Sequence, residues 1–311
     1  MTQVQTIVDR FEYSITYSTY RRHKLRYGLF KKITKHALPL FFKGGDVISI
    51  NPLVNGVYEP EIKALIDYLA NHGHQDFLID IGANIGLTSC QSGAKFSEVH
   101  LFEPNPNALG ILKINANIAL RRHNYTIHEY ALGEKQERLK LYVPYDNWGG
   151  AFIDSAQNDY ELNLHSQNNG FGAFDAANYD IFDVQVESAQ DKLMQLFNEL
   201  SVKNKKHGVV KIDAEGYEDF IIQALLQSLP ADFKLFIVYE NWNNKPFSLN
   251  SKPGLSLRVF NLFEKRFVFK HAPRWFNSMS ISLQGHIKTT LVPLEGPLFP
   301  GTFVIQVESQ A

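Results

Sequence analysis

The chain predicts an α/β fold: an open, mostly parallel sheet of seven strands, closed by an antiparallel pair and preceded by a helical extension. Three observations carry this expectation. Short apolar runs alternate with helix-patterned stretches from residue 77 onward. One of those runs, Phe77-Leu-Ile-Asp-Ile81, breaks into a glycine turn at a helix entry. The last two strand-like runs, Arg266–Lys270 and Thr302–Val307, have no convincing long helix between them. Strands separated by helices pair in parallel through right-handed crossovers, and strands without a crossover helix pair antiparallel.

Each element follows from a local pattern. Residues 1 to about 43 read as helical, ending at Pro39, and Gly44–Ile50 as a turn and short strand. Ile62, Leu65, Ile66 and Leu69 recur at helical spacing behind Pro60, a first-turn proline. The main alternation is strand 77–82, helix 85–95, strand 98–103, helix 106–120 and strand 125–132, with a short strand at Leu139–Val143. Strand 208–213, helix 217–228, strand 234–240 and a helix near 254–264 follow, and Pro293, Pro297 and Pro300 mark an irregular loop. We therefore expect an N-terminal extension over 1–75 and a main domain over 76–311. Residues 144–182, rich in Asn, Asp, Gln and Gly, form a polar insertion within it.

Composition narrows the function classes. A chain of 311 residues, 44% hydrophobic, can bury a large core. A net charge of −1 gives no general case for nucleic acid. The single Cys90 excludes an intrachain disulfide and fits a reducing compartment. No run approaches the roughly 20 apolar residues of a membrane span, and the start lacks a secretory pattern, so the chain reads as cytoplasmic. Seven Lys or Arg residues and no acid lie between Arg21 and His36, interleaved with Leu25, Tyr27, Leu29, Phe30 and Ile33. This segment is expected as a solvated face packed by its aromatic side; peripheral contact with an anionic membrane is the alternative.

The glycine turn identifies a cofactor class. Gly82 and Gly86 let backbone approach a ligand closely, and Glu103 ends the next strand 21 residues after Gly82, near the ~20 expected of a ribose-gripping acid. A nicotinamide fingerprint wants glycine where Asn84 stands, and Asp80 just before the turn would repel a pyrophosphate. The same acid would welcome a cationic amino group, which points to S-adenosylmethionine.

Three motifs in order then make a family resemblance specific. Asp80-Ile-Gly-Ala-Asn-Ile-Gly86, Phe102-Glu-Pro-Asn-Pro106 and Lys211-Ile-Asp-Ala-Glu-Gly-Tyr-Glu218 resemble the FkbM family of S-adenosylmethionine-dependent methyltransferases. Asn55-Gly-Val-Tyr-Glu59 and Phe236-Ile-Val-Tyr-Glu240 are also similar, so the likeness spans roughly residues 45–245. It implies a class I methyltransferase (Rossmann-like) fold and O-methylation of sugar or natural-product hydroxyls, as in surface glycan assembly.

By role, Gly82, Ala83, Asn84 and Gly86 shape the turn around the methionine part, and Asp80 orients that turn or receives the amino group. Glu103 holds the ribose hydroxyls with help from Asn105, and Tyr130 lies beside the adenine. Asp213 falls nearest the transferring methyl, flanked by Lys211 and Glu215. Either acid could accept the hydroxyl proton, and Glu215 could instead cap the helix beginning at Gly216. Trp148, Glu240 and Asn241 are assigned to the acceptor, with the aromatic residues of the insertion (Tyr160, Phe171, Phe174, Tyr179) suited to a carbohydrate. No metal is expected. A catechol-type metal variant using Asp213 and Glu240 is disfavoured by the longer second acid. A nicotinamide-dependent oxidoreductase and a noncatalytic partner in glycan synthesis are the alternative functions.

Overall fold

Strand β2 (Phe77–Ile81) is buried at every position, Asp80 included, as expected of a strand whose two faces are both covered in a parallel sheet. Around it, the computed structural model describes residues 11–17, 24–29, 32, 43, 45–46, 48–49, 52, 57–121, 124–155, 158, 174–241, 249–250, 252–269, 284–294 and 301–309. In chain order the elements begin with β1 (Glu12–Tyr17), α1 (Pro60–Asn71), β2, α2 (Leu87–Ser92), β3 (Glu98–Phe102), α3 (Pro106–Ala119) and β4 (Asn124–His128). Next come β5 (Ala131–Gly133), β6 (Glu137–Pro144), β7 (Phe152–Ile153), β8 (Tyr179–Ser188) and α4 (Ala189–Val202). The remainder is β9 (His207–Ile212), α5 (Glu218–Ser228), β10 (Lys234–Asn241), β11 (Leu255–Phe269), β12 (Gln284–Pro293) and β13 (Gly301–Ser309).

Among the described residues, nine strands form one sheet in the order β1-β12-β11-β13-β10-β9-β2-β3-β4. The stretch β4, β3, β2, β9, β10 is parallel throughout. From β2 the chain passes to β3 on one side and later to β9 on the other, so β2 and β9 flank a topological switch point. Ligands of open α/β sheets bind at the carboxyl ends of the strands there. Alternate residues of β2 feed two cores. Leu78 joins Leu65, Leu69 and Leu112 from α1 and α3, and Ile79 joins Leu193, Phe197 and Leu225 from α4 and α5. Leu65, Ile66 and Leu69 are wholly buried, which stabilises α1 against the sheet by about 2 kcal/mol per side chain.

The sheet is larger and more mixed than the seven strands expected. Strand β13 lies antiparallel between β10 and β11, and β12 and β1 extend the edge by further antiparallel pairing. The helix expected near 254–264 is strand β11. Its odd residues Leu255, Leu257 and Val259 pack into one core and its even residues Phe260 and Leu262 into the other. The buried face switches in mid-strand, which breaks the two-residue period and imitates helical spacing. Pro293, expected in an irregular loop, is the last residue of β12; Pro297 and Pro300 lie outside the described residues.

The N-terminal expectation is corrected in the same way. Glu12–Tyr17 is an edge strand on β12, joined there by a Lys288–Glu12 ion pair of 2.7 Å. Residues 48–49 are helical, not extended. In the basic segment, 24–29 and 32 are helical, with Leu25 and Leu29 exposed; Arg21, Phe30, Ile33 and His36 lie outside the described residues.

A second sheet of four strands, order β5-β8-β6-β7, sits where one short strand was expected. Strand β8 and helix α4 carry the chain from the polar insertion back to β9, and neither is among the elements expected from the sequence. Phe182, Val184 and Val186 in β8 alternate with Asp183, Gln185 and Glu187, but an acid- and amide-rich composition masks the pattern. Of the aromatic residues in the insertion, Tyr160 and Phe171 lie outside the described residues.

Candidate active site

The turn after β2 is a close fit of backbone on backbone. Gly82, Asn84 and Gly86 all take positive φ, at 79°, 50° and 82°. Gly82 and Ala83 donate their N–H groups to the Phe102 carbonyl, and Asp213 donates its own to the Ile81 carbonyl. A Cβ on Gly82 would stand 1.8 Å from the Asp213 carbonyl oxygen, so no other residue fits that approach. Asp80 is fully buried and accepts from the Ser89 hydroxyl at 2.7 Å. That bond ties the end of β2 to α2. Asp80 is not among the residues that line the cavity beyond the turn.

Glu103 faces that cavity from the tip of β3. Its two oxygens accept from the N–H of Asn84 at 2.6 Å and of Asn105 at 2.7 Å. Burial outweighs those bonds and pushes its pKa up to about 7. Asn105 lies outside the lining and caps α3, accepting from the Asn107 N–H at 3.0 Å. The cavity spans about 860 Å³, its open mouth included, within the range of small-molecule sites. Phe102, Tyr130, Ala131 and Leu132 give it an apolar wall, and Lys211, Asp213 and Glu215 give it charge.

Those charges form one coupled group. Lys211 Nζ donates to Asp213 Oδ2 at 2.7 Å. Burial alone would lower the lysine pKa; Asp213, Asp80 and Glu59 outweigh it and hold Lys211 above its usual range. Burial raises Glu59 to about 8 against the pull of Lys211, with Glu240 and Asp213 adding to the rise. Glu215, at φ 43°, is likewise raised well above the carboxylate range by burial, then by Asp213 and Glu240. The capping role considered for Glu215 belongs to Glu218, which accepts from the Ala214 N–H at 2.8 Å and the Gly216 N–H at 2.9 Å. Glu240 and Asn241 end β10 outside the cavity lining, although Glu240 is close enough to affect both Glu59 and Glu215. Among the described residues no three His, Cys, Asp or Glu side chains are placed to hold a metal ion.

The start of the insertion closes over this group. Trp148, Gly149, Ala151 and Ile153 line the cavity; Phe174 and Tyr179 do not, packing instead on Tyr142. Trp148 donates its backbone N–H to Asp46 Oδ1 at 2.9 Å, and Lys43 Nζ lies 5.1 Å from its ring centre. Ser155 hydrogen-bonds the Tyr217 hydroxyl, and Asn158 Nδ2 donates to the Glu215 carbonyl at 3.1 Å. Sequence reasoning missed Asp46, Ile48 and Tyr58 as site residues. Only Tyr58, inside Asn55-Gly-Val-Tyr-Glu59, carried a signal, and Asn55 itself lies outside the described residues.

Comparison with known proteins supplies a family. No curated protein matches the chain. Among solved structures it is similar to an O-methyltransferase from Bacillus cereus in complex with SAH, at 11% identity and TM-score 0.36, covering 86% of this chain and 99% of that one. It is also similar to precorrin-6y C5,15-methyltransferase from Geobacter metallireducens, at 12% identity and TM-score 0.34, covering 80% and 88%. The family model described as the Methyltransferase FkbM domain matches residues 80–251, more than half of the chain, and sets the nicotinamide alternative aside. The chain belongs to the FkbM methyltransferase family and is an S-adenosylmethionine-dependent methyltransferase.

Proposed function

We propose that the chain transfers a methyl group to a hydroxyl of a sugar or natural-product acceptor. The observation that carries this reading is Glu215, a half-buried carboxylate of raised proton affinity that lines the cavity beside the Lys211–Asp213 pair. A hydroxyl must lose its proton as it is methylated, and a carboxylate of raised proton affinity is, once ionised, the stronger base for that task. Methylation of an already nucleophilic thiolate or free amine would not call for such a base.

The cofactor fits the residues present. The positive-φ turn from Gly82 to Gly86 leaves backbone open to the methionine part, and Asn84 Oδ1 is buried there without a partner among the described residues. Each Glu103 oxygen accepts one backbone N–H and keeps a lone pair for a ribose hydroxyl. Phe102, Tyr130 and Leu132 offer the purine an apolar slot. S-adenosylmethionine supplies the methyl group as an activated sulfonium. Lys211 fixes the Asp213 carboxylate, Glu215 takes the proton, and Trp148 with its neighbours keeps water from the reacting groups.

The test is incubation with methyl-labelled S-adenosylmethionine and a panel of neutral saccharides and polyhydroxylated natural products. Label should appear on oxygen in at least one acceptor. Label on nitrogen or carbon would overturn the reading, and tight product binding without any turnover would return the noncatalytic alternative.

A further inference from the structure

One buried set of titratable groups takes no part in the chemistry above. Glu98 opens β3 on the far side of the sheet from the cavity tips, yet it connects to the cavity through three rings. Its carboxylate accepts from Lys203 Nζ at 2.5 Å and from Lys205 Nζ at 2.7 Å. Burial opposes ionisation, but these two lysines prevail and hold Glu98 below the usual carboxylate range. His100 Nε2 faces Glu98 Oε1 at 3.3 Å, a charge contact outside hydrogen-bond geometry, and His100 Nδ1 hydrogen-bonds His128 Nε2 at 3.3 Å. His128 Nδ1 then meets the Tyr130 hydroxyl at 3.2 Å. Phe102 stacks on His128 with centroids 4.1 Å apart and planes at 10°, and meets Tyr130 edge-on at 5.8 Å.

The polarity of this chain follows from its charged end. Burial keeps both imidazoles neutral, with pKa values pushed down to about 4. A neutral imidazole carries one N–H and one lone pair. Facing an ionised carboxylate, His100 carries its hydrogen on Nε2, so its Nδ1 accepts. His128 then donates from Nε2 and accepts on Nδ1, and the Tyr130 hydroxyl donates to that nitrogen. The opposite order would aim an imidazole lone pair at Glu98. With its hydrogen committed to His128, the Tyr130 oxygen has only lone pairs left for the cavity that Tyr130 lines.

We infer that Tyr130 selects the purine of the cofactor by accepting a hydrogen bond from the exocyclic amino group of adenine, with Glu98, His100 and His128 as positioning residues that set its polarity. The inference rests on S-adenosylmethionine lying with its purine beside Tyr130. A 6-oxo purine would set a carbonyl oxygen against the tyrosine oxygen, leaving two acceptors face to face.

The experiment is calorimetric titration of the full chain with S-adenosylhomocysteine and with its 6-oxo inosine counterpart. The natural chain should prefer the adenine form by about tenfold or more, the value of one neutral hydrogen bond. Tyr130→Phe should bring the ratio close to one. His128→Phe keeps a flat ring against Phe102 but offers no acceptor, and should collapse the ratio too, whereas His128→Gln, whose amide oxygen can accept, should restore part of it. If the His128 variants do not fold, Tyr130→Phe decides alone. Equal affinities in the natural chain, or an undiminished ratio in Tyr130→Phe, would overturn the inference. Binding of neither nucleoside would instead remove the cofactor assignment beneath it.

Discussion

Glu98 and Glu103 sit at opposite ends of β3, and both are almost sealed from water, at 3% and 6% exposure. Their chemistry diverges. Glu98 has two ammonium groups within 2.7 Å and is held ionised below the ordinary range. Glu103 has two backbone N–H donors, which burial overrides, and its pKa is pushed up to about 7. The amino end of the sheet thus neutralises its buried charge within the fold. At the carboxyl end, Glu103 meets no ammonium group at hydrogen-bond distance among the described residues, and Glu59, Asp80, Asp213 and Glu215 all act on Lys211. Desolvated charge without a full counterpart is costly unless a ligand completes it. Burial by itself does not separate the two ends. The identity of the donors does.

That contrast can be broken at either end. The largest effect is expected from Glu215→Gln, which removes the proposed proton acceptor. Its kcat should fall about 10³-fold, with affinity for S-adenosylhomocysteine nearly unchanged by calorimetry. Glu103→Gln should show the reverse split. One amide face must oppose a backbone N–H, and cofactor affinity should drop about 30-fold, roughly 2 kcal/mol.

A pH series sharpens the comparison without mutation. Burial raises Glu59 and Glu218 to about 8 and Glu103 to about 7, so the stability their protonated forms contribute is complete below the ordinary carboxylate range and is lost progressively as pH rises from there to 7 or 8. Burial lowers His74, His100 and His128 to about 4, so their contribution is complete above the ordinary imidazole range and lost as pH falls toward 4. Between about pH 4.5 and 6.5 the two sets offset one another, and above that only the acids titrate. Thermal stability of the ligand-free protein should therefore hold level to about pH 6.5 and decline by roughly 4 kcal/mol by pH 8.5. An undiminished melting temperature at pH 8.5 would mean the carboxyl-end acids are already compensated. The smallest effect is expected from Glu98→Gln. It leaves two partly exposed lysines without a counter-ion, which should cost about 1 kcal/mol of stability and shift S-adenosylhomocysteine affinity by less than threefold.

Much of the parallel half of the molecule is legible in its residues alone. Strands β2 and β3, the turn from Gly82 to Gly86 and the acid at position 103 all stand where their patterns predict. The Glu218 cap is not legible, because Glu215 and Glu218 offer the same side chain three residues apart and only the folded backbone, with φ of 43° at Glu215 and the Ala214 and Gly216 N–H groups aimed at Glu218, separates them. Strand β11 imitates a helix because it buries residues on both faces in turn.

The sequence by itself determined the features whose physics is short-range: a buried run reads as a strand, glycine permits positive φ, and an acid falls at a strand tip by spacing alone. Only the tertiary structure decided which charges meet. Asp46 reaches the Trp148 backbone across 102 positions, and Lys205 reaches Glu98 across 107. Desolvation and donor identity are set by such distant neighbours, and no local pattern records them.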